Sequence, residues 1–128
     1  MPLVRIDINK SYNSDDSKKI GEIVYKAMEE EINVPKDDKF QIITKHDTSE
    51  LNIPDSYLGI KYTDKIVIIQ ITLNGGRSTE LKQKLYKRIA EDLNKDLNIR
   101  TEDVFISLVE VAKENWSFGN GEAQYASK

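Results

Sequence analysis

Slid along itself by about 65 positions, the chain repeats its own pattern, and this repeat limits the possible folds more than any single residue does. Val4, Ile6 and Ile8 alternate with Leu3, Arg5 and Asp7, and Val67, Ile69, Ile71 and Leu73 recur with the same period of two, so each half predicts a strand. A four-residue rhythm follows in both halves. Ile20, Val24, Met28 and Ile32 form one apolar stripe, and Leu85, Ile89, Leu93 and Leu97 form its counterpart, as expected of two amphipathic helices. The helices stop alike: Ile32-Asn33-Val34-Pro35-Lys36-Asp37-Asp38 parallels Leu97-Asn98-Ile99-Arg100-Thr101-Glu102-Asp103, and each run leads through Phe40 or Phe105 into a second strand.

Each half is thus a β-α-β unit, whose strands lie parallel after a right-handed crossover. The predicted fold class is α/β: tandem β-α-β units, about 2–45 and 66–112, forming a four-stranded sheet with two helices on one face. A length of 128 residues suits a single domain, with 38% hydrophobic residues available for its core. The stretch from His46 to Thr63, with Pro54 and Gly59, predicts a linker carrying short irregular or strand pieces, and 113–128 a C-terminal tail. Two helices leave the second sheet face bare, which points to an oligomer.

Charge and composition exclude several functions. Nineteen Lys plus Arg against 22 Asp plus Glu leave a net charge of -3, which disfavours nucleic acid as a partner, because such binding is driven by neutralising phosphates. A β-α-β-β-α-β RNA-binding domain is disfavoured for the same reason. The chain has no cysteine, so disulfides, thiolate metal sites and cysteine nucleophiles are out. His46 stands alone and cannot form a metal site by itself; it is expected to serve as a structural hydrogen-bonding group. No stretch of about 18 apolar residues occurs, and the N-terminus lacks the layout of a leader, so a cytoplasmic protein without membrane contact is expected.

Pro2-Leu3, the run from Val34 through Asp38 to Gln41, Arg77-Ser78, Asp103-Val104 and finally Trp116-Ser117-Phe118-Gly119 carry a family resemblance over nearly the whole chain. They resemble the 4-oxalocrotonate tautomerase superfamily, in its malonate semialdehyde decarboxylase-like branch of fused two-unit chains. The resemblance implies a homotrimer, no cofactor and no metal, and an N-terminal proline as the chemical centre. An imino nitrogen at a chain end is a compact amine of tunable pKa, fixed to a strand without any rotamer to set. The Pro2 nitrogen has that character only once Met1 is removed.

By the same resemblance Asp38 is the carboxylate that orients or protonates a water or substrate group, although Asp103 at the equivalent place suggests a turn residue instead. Arg77 follows Asn74-Gly75-Gly76 and precedes a helix, a setting that suits a substrate carboxylate. Trp116, Phe118 and Tyr125 resemble the aromatic pocket wall of the family; core or interface packing is the competing role. The chain also departs from the decarboxylase pattern, because Gly75 stands where a first arginine is expected and only Arg77 remains.

That departure affects the chemistry. At about 6 Å and an effective dielectric near 20, one unit charge is worth roughly 2.8 kcal/mol, about two pK units. One cation, Arg77, and one carboxylate, Asp38, then nearly cancel, and burial decides, lowering the amine toward neutrality. A neutral Pro2 is a base, so enol-keto tautomerisation of small 2-oxo acids is the favoured expectation. Decarboxylation or hydration of a three-carbon oxo acid by a cationic Pro2 is the alternative, and a non-catalytic trimeric binding module is a third.

Overall fold

The computed structural model describes residues 2–126; Met1, on whose removal the Pro2 amine depends, and the last two residues of the tail lie outside the described residues. The elements run β1 (Leu3–Asn9), α1 (Ser14–Ile32), β2 (Gln41–His46), β3 (Ser56–Tyr57), β4 (Ile60–Lys61), β5 (Val67–Asn74), α2 (Thr79–Leu97) and β6 (Val104–Val111), with short 3-10 turns at Thr48–Glu50, Thr101–Asp103 and Lys113–Asn115. The principal sheet has the order β2-β1-β5-β6. Pairing is parallel within each half and antiparallel where β1 meets β5, so the two β-α-β units meet head to tail across an approximate two-fold axis. The His46-to-Thr63 linker contains the small antiparallel β3–β4 hairpin, turned by Leu58 and Gly59, both at positive φ.

Local chemistry explains where the helices begin and end. Asn13 caps α1, accepting the Asp16 amide N–H at 2.8 Å, and Ser78 caps α2, accepting the Leu81 N–H at 3.3 Å. Each helix stops at an asparagine in the left-handed region, Asn33 at φ 58° and Asn98 at φ 55°. Asparagine tolerates this conformation, and the next residue turns inward: the Val34 N–H reaches the Met28 carbonyl and the Ile99 N–H the Leu93 carbonyl.

The core lies between the helices and one sheet face. Val4, Ile6, Ile8, Val67, Ile69, Ile71 and Leu73 point into it from the strands, and meet Ile20, Val24 and Met28 of α1 and Leu85, Ile89 and Leu93 of α2. Leu97, the last residue of the predicted stripe, is only partly buried. Across the outer surface of the helices, Arg88 binds Asp92 on its own helix and Glu30 and Glu31 on α1, clamping the pair together. The other sheet face carries Arg5, Ile42, Gln70, Phe105 and Val109, all exposed, so the bare face expected from two helices is present.

Candidate active site

The topology explains why distant parts of the sequence meet at Pro2. β1 begins beside the start of its parallel neighbour β2, with the Val4 N–H donating to the Phe40 carbonyl at 2.9 Å. β5 runs the other way and ends at the same edge, Leu3 lying opposite Thr72. β6 follows β5 in parallel, so the chain leaving Val111 also emerges there. The start of β1, the loop before β2, the loop after β5 and the tail after β6 therefore share one end of the sheet.

Pro2 is buried in that corner. It lines a cavity of about 250 Å³ together with Leu3, Phe40, Trp116, Ser117 and Phe118, a wall of mostly apolar side chains with one hydroxyl. The Trp116 and Phe118 rings stack with centroids 5.4 Å apart, and Tyr125, which does not line the cavity, meets Phe118 edge-on at 4.9 Å. The Phe118 N–H donates to Gln124 and the Gln124 amide returns to the Gly119 carbonyl, folding the tail back so that the rings meet.

Arg77 and Asp38 are near this corner but not on the cavity surface. Arg77 follows Gly76, whose φ of +118° is a conformation glycine adopts readily. Its half-buried guanidinium donates to the Asn74 carbonyl at 3.1 Å and to the Ile32 carbonyl at 3.4 Å, the latter at the negative end of α1. It has no carboxylate partner within salt-bridge distance among the described residues. Glu110, on β6 beside Gly75, is already paired with Lys82 at 2.8 Å. Its carboxyl lies below the usual range chiefly through the Lys82 hydrogen bond, with smaller contributions from the Gly76 amide and the Arg77 charge.

Asp38 and Asp103, matched in the repeat, differ in surroundings. The Asp103 carboxylate is fully buried and accepts the Thr63 N–H at 2.8 Å, the Thr63 hydroxyl at 2.6 Å and Arg100 at 3.3 Å. It ties the linker to the second half, a structural task. The Asp38 carboxylate has no such partner among the described residues, and only its backbone N–H is held, donating to the Tyr25 hydroxyl at 3.0 Å and to the Pro35 carbonyl at 3.3 Å. His46 donates or accepts at Asp7, 2.6 Å away, at the far end of β2 from Pro2. Among the described residues no cluster of three or more His, Asp or Glu side chains is arranged to hold a metal.

Two residues of this corner escaped the reading of the sequence. Tyr25 anchors the Asp38 loop, and Asn74 joins Trp116 to Arg77 through its side chain and its carbonyl. Nothing in periodicity reveals hydrogen bonds spanning 13 or 42 residues; only the match of Asn74 with Asn9 in the repeat hints at a shared strand-end task.

Comparison with known proteins agrees with the fold. A family model described as tautomerase enzyme matches residues 38–119. The probable tautomerase YusQ of Bacillus subtilis (strain 168) is 41% identical over 124 residues, spanning 97% of this chain and 98% of its own. Among solved structures, FG41 malonate semialdehyde decarboxylase inhibited by 3-bromopropiolate superposes with a TM-score of 0.89 at 36% identity, covering 98% of this chain and 95% of that one. A fused 4-OT wild-type symmetric trimer superposes at 0.78 over 98% of this chain and 99% of its own; at 18% identity this likeness shows the fold alone.

Proposed function

Because this chain belongs to the tautomerase family, we propose that it catalyses enol-keto tautomerisation of small 2-oxo acids, with the Pro2 amine, freed of Met1, as general base. The observation that carries this reading is the burial of Pro2 in an apolar, aromatic-walled cavity. Removal from water disfavours an ammonium, so a free Pro2 nitrogen there tends toward the neutral form. That nitrogen takes the proton from the enol oxygen and returns it to C3, leaving the 2-oxo acid.

Arg77 supplies the carboxylate anchor. A guanidinium has five N–H donors, and two directions are used by the Asn74 and Ile32 carbonyls. The rest remain for an anion, and no protein carboxylate within salt-bridge distance among the described residues competes for them. Phe40, Trp116 and Phe118 hold the substrate body and exclude water. The chain acts as a homotrimer whose subunits cover one another's bare sheet faces, where Ile42, Phe105 and Val109 are exposed.

A second reading is decarboxylation or hydration of a three-carbon oxo acid by a cationic Pro2. It is favoured by the likeness to malonate semialdehyde decarboxylase and by the Asp38 carboxylate, which lacks a partner among the described residues and would stabilise a nearby cation. Intact-mass measurement, followed by assays on an aryl enolpyruvate and on malonate semialdehyde, separates the two. The tautomerase reading expects a mass without Met1 and the faster rate on the enol. A faster rate on the semialdehyde reverses the order of the two readings, and a retained Met1 rejects both.

A further inference from the structure

The approximate two-fold axis pairs Asn74, the last residue of β5, with Asn9, the last residue of β1. Both side chains reach the segment that follows the parallel neighbouring strand. Asn9 Nδ2 donates to Thr48 Oγ1 at 3.0 Å, and its Oδ1 accepts the Ser11 N–H at 2.9 Å, so in the first half the residue closes a loop. Asn74 performs the matching task at the other end of the sheet, where the segment after β6 is the wall of the Pro2 cavity. Its Oδ1 accepts the Trp116 indole N–H at 2.7 Å. An indole only donates, so the amide must present its oxygen to Trp116. The main-chain carbonyl of the same residue accepts from Arg77 Nη1 at 3.1 Å.

We propose that Asn74 is a positioning residue that fixes the Trp116 wall of the cavity relative to the Arg77 guanidinium, and so sets how a bound substrate faces Pro2. Trp116 is otherwise held by its stack on Phe118, at an interplanar angle of 18°. Stacked rings slide over one another at little cost, whereas a single short hydrogen bond at the ring edge sets the rotation. Arg77 leaves the strand three residues later through Gly75 and Gly76, a flexible turn, and its tie to the Asn74 carbonyl brings the guanidinium back to the same point. One residue therefore serves as common reference for the aromatic wall and the anion anchor. This inference rests on the function proposed above, since only that function makes the relative placement of wall and anchor matter.

Trp116 is the only tryptophan in the chain, so its emission reports this contact directly. The test compares the parent, Asn74→Ala and Asn74→Asp by tryptophan emission maximum, and these together with Trp116→Phe and the Asn74→Ala/Trp116→Phe double variant by kcat and KM on an aryl enolpyruvate. Asn74→Ala is expected to shift the emission and to lower kcat/KM about tenfold; in the Trp116→Phe background the same change is expected to cost less than twofold, the signature of two residues acting as one. Asn74→Asp keeps the accepting oxygen and is expected to retain the parent emission, which separates loss of the contact from loss of folding. An unchanged emission in Asn74→Ala, or an equal tenfold loss with and without Trp116, would overturn the inference. Should the parent protein fail to turn over the enol, the proposed function fails, while the emission arm still decides whether Asn74 sets the ring.

Discussion

The Tyr25 hydroxyl accepts the Asp38 backbone N–H at 3.0 Å while donating to the Pro35 carbonyl, so a buried helix residue grips both ends of the turn that presents Asp38. The turn is thereby referenced to α1 and not merely to the strand that follows it. Replacing Tyr25 by Phe removes the hydroxyl from both groups and leaves them only their direct contact at 3.3 Å, which is expected to cost about 0.5–1.5 kcal/mol. A lower urea midpoint, with a severalfold fall in kcat on an aryl enolpyruvate, is the predicted result.

The matched aspartates are predicted to respond in opposite ways. Asp103 holds Thr63 and Arg100 from full burial, so Asp103→Ala is expected to destabilise by about 2–4 kcal/mol, with little direct effect on chemistry at the far end of the sheet. Asp38→Asn removes a carboxylate with no partner among the described residues and is expected to change stability by less than about 1 kcal/mol while altering activity. Chemical denaturation of both variants, paired with turnover measurements, checks the contrast.

Alkaline pH should weaken the fold through its tyrosines. Tyr12 and Tyr25 both lie above the usual tyrosine value of 10.0, burial being the largest cause in each; nearby carboxylates add to it, while the Asp38 amide opposes it at Tyr25. The folded state therefore keeps these protons when the unfolded chain loses them. Their stabilising contribution is complete below the unfolded value and declines as pH rises above about 10. Tyr12→Phe removes one titrating group, and with it the Tyr12 hydrogen bond to the Lys65 carbonyl at 2.5 Å. Its urea midpoint is expected to start lower and to fall less steeply between pH 9 and pH 11, values chosen to bracket that range.

Arg77→Ala is expected to raise KM for a 2-oxo acid about ten- to a hundredfold, the worth of a charge-assisted hydrogen bond of roughly 1.5–3 kcal/mol. Arg77→Lys keeps the charge but loses the planar fork that reaches both Asn74 and Ile32, so it should recover only part of the loss. An unaltered KM in Arg77→Ala would remove this residue from the account.

Phe105 lies on the bare sheet face, 44% exposed. Phe105→Lys places a charge there and is expected to convert a trimer to smaller species in native mass spectrometry, without loss of helix content.

What the sequence made legible was periodic. Alternation at Val4, Ile6 and Ile8 and at Val67, Ile69 and Ile71 marked the buried strand faces, and the four-residue stripes marked both helices. The β-α-β repeat also implied parallel pairing inside each half, as found. The antiparallel junction of β1 with β5 had no such signal, because a joint between two similar units depends on side-chain fit across the two-fold axis and not on spacing. Of the candidate site, residue type was the informative part: Pro2, Trp116 and Phe118 meet at one cavity, while Tyr125 touches Phe118 without lining that cavity. Tyr25 and Asn74 escaped because a tyrosine beside a helical stripe and a strand-end amide look ordinary until the chain folds.

The most direct measurement is the pH dependence of kcat/KM for an aryl enolpyruvate, recorded on protein shown by mass to begin at Pro2. Turnover should climb with pH along a single ionisation and level off, and Pro2→Ala should abolish or displace that ionisation. Turnover that instead declines through the same ionisation, or a Pro2→Ala profile identical to the parent's, would contradict a neutral proline nitrogen as the base.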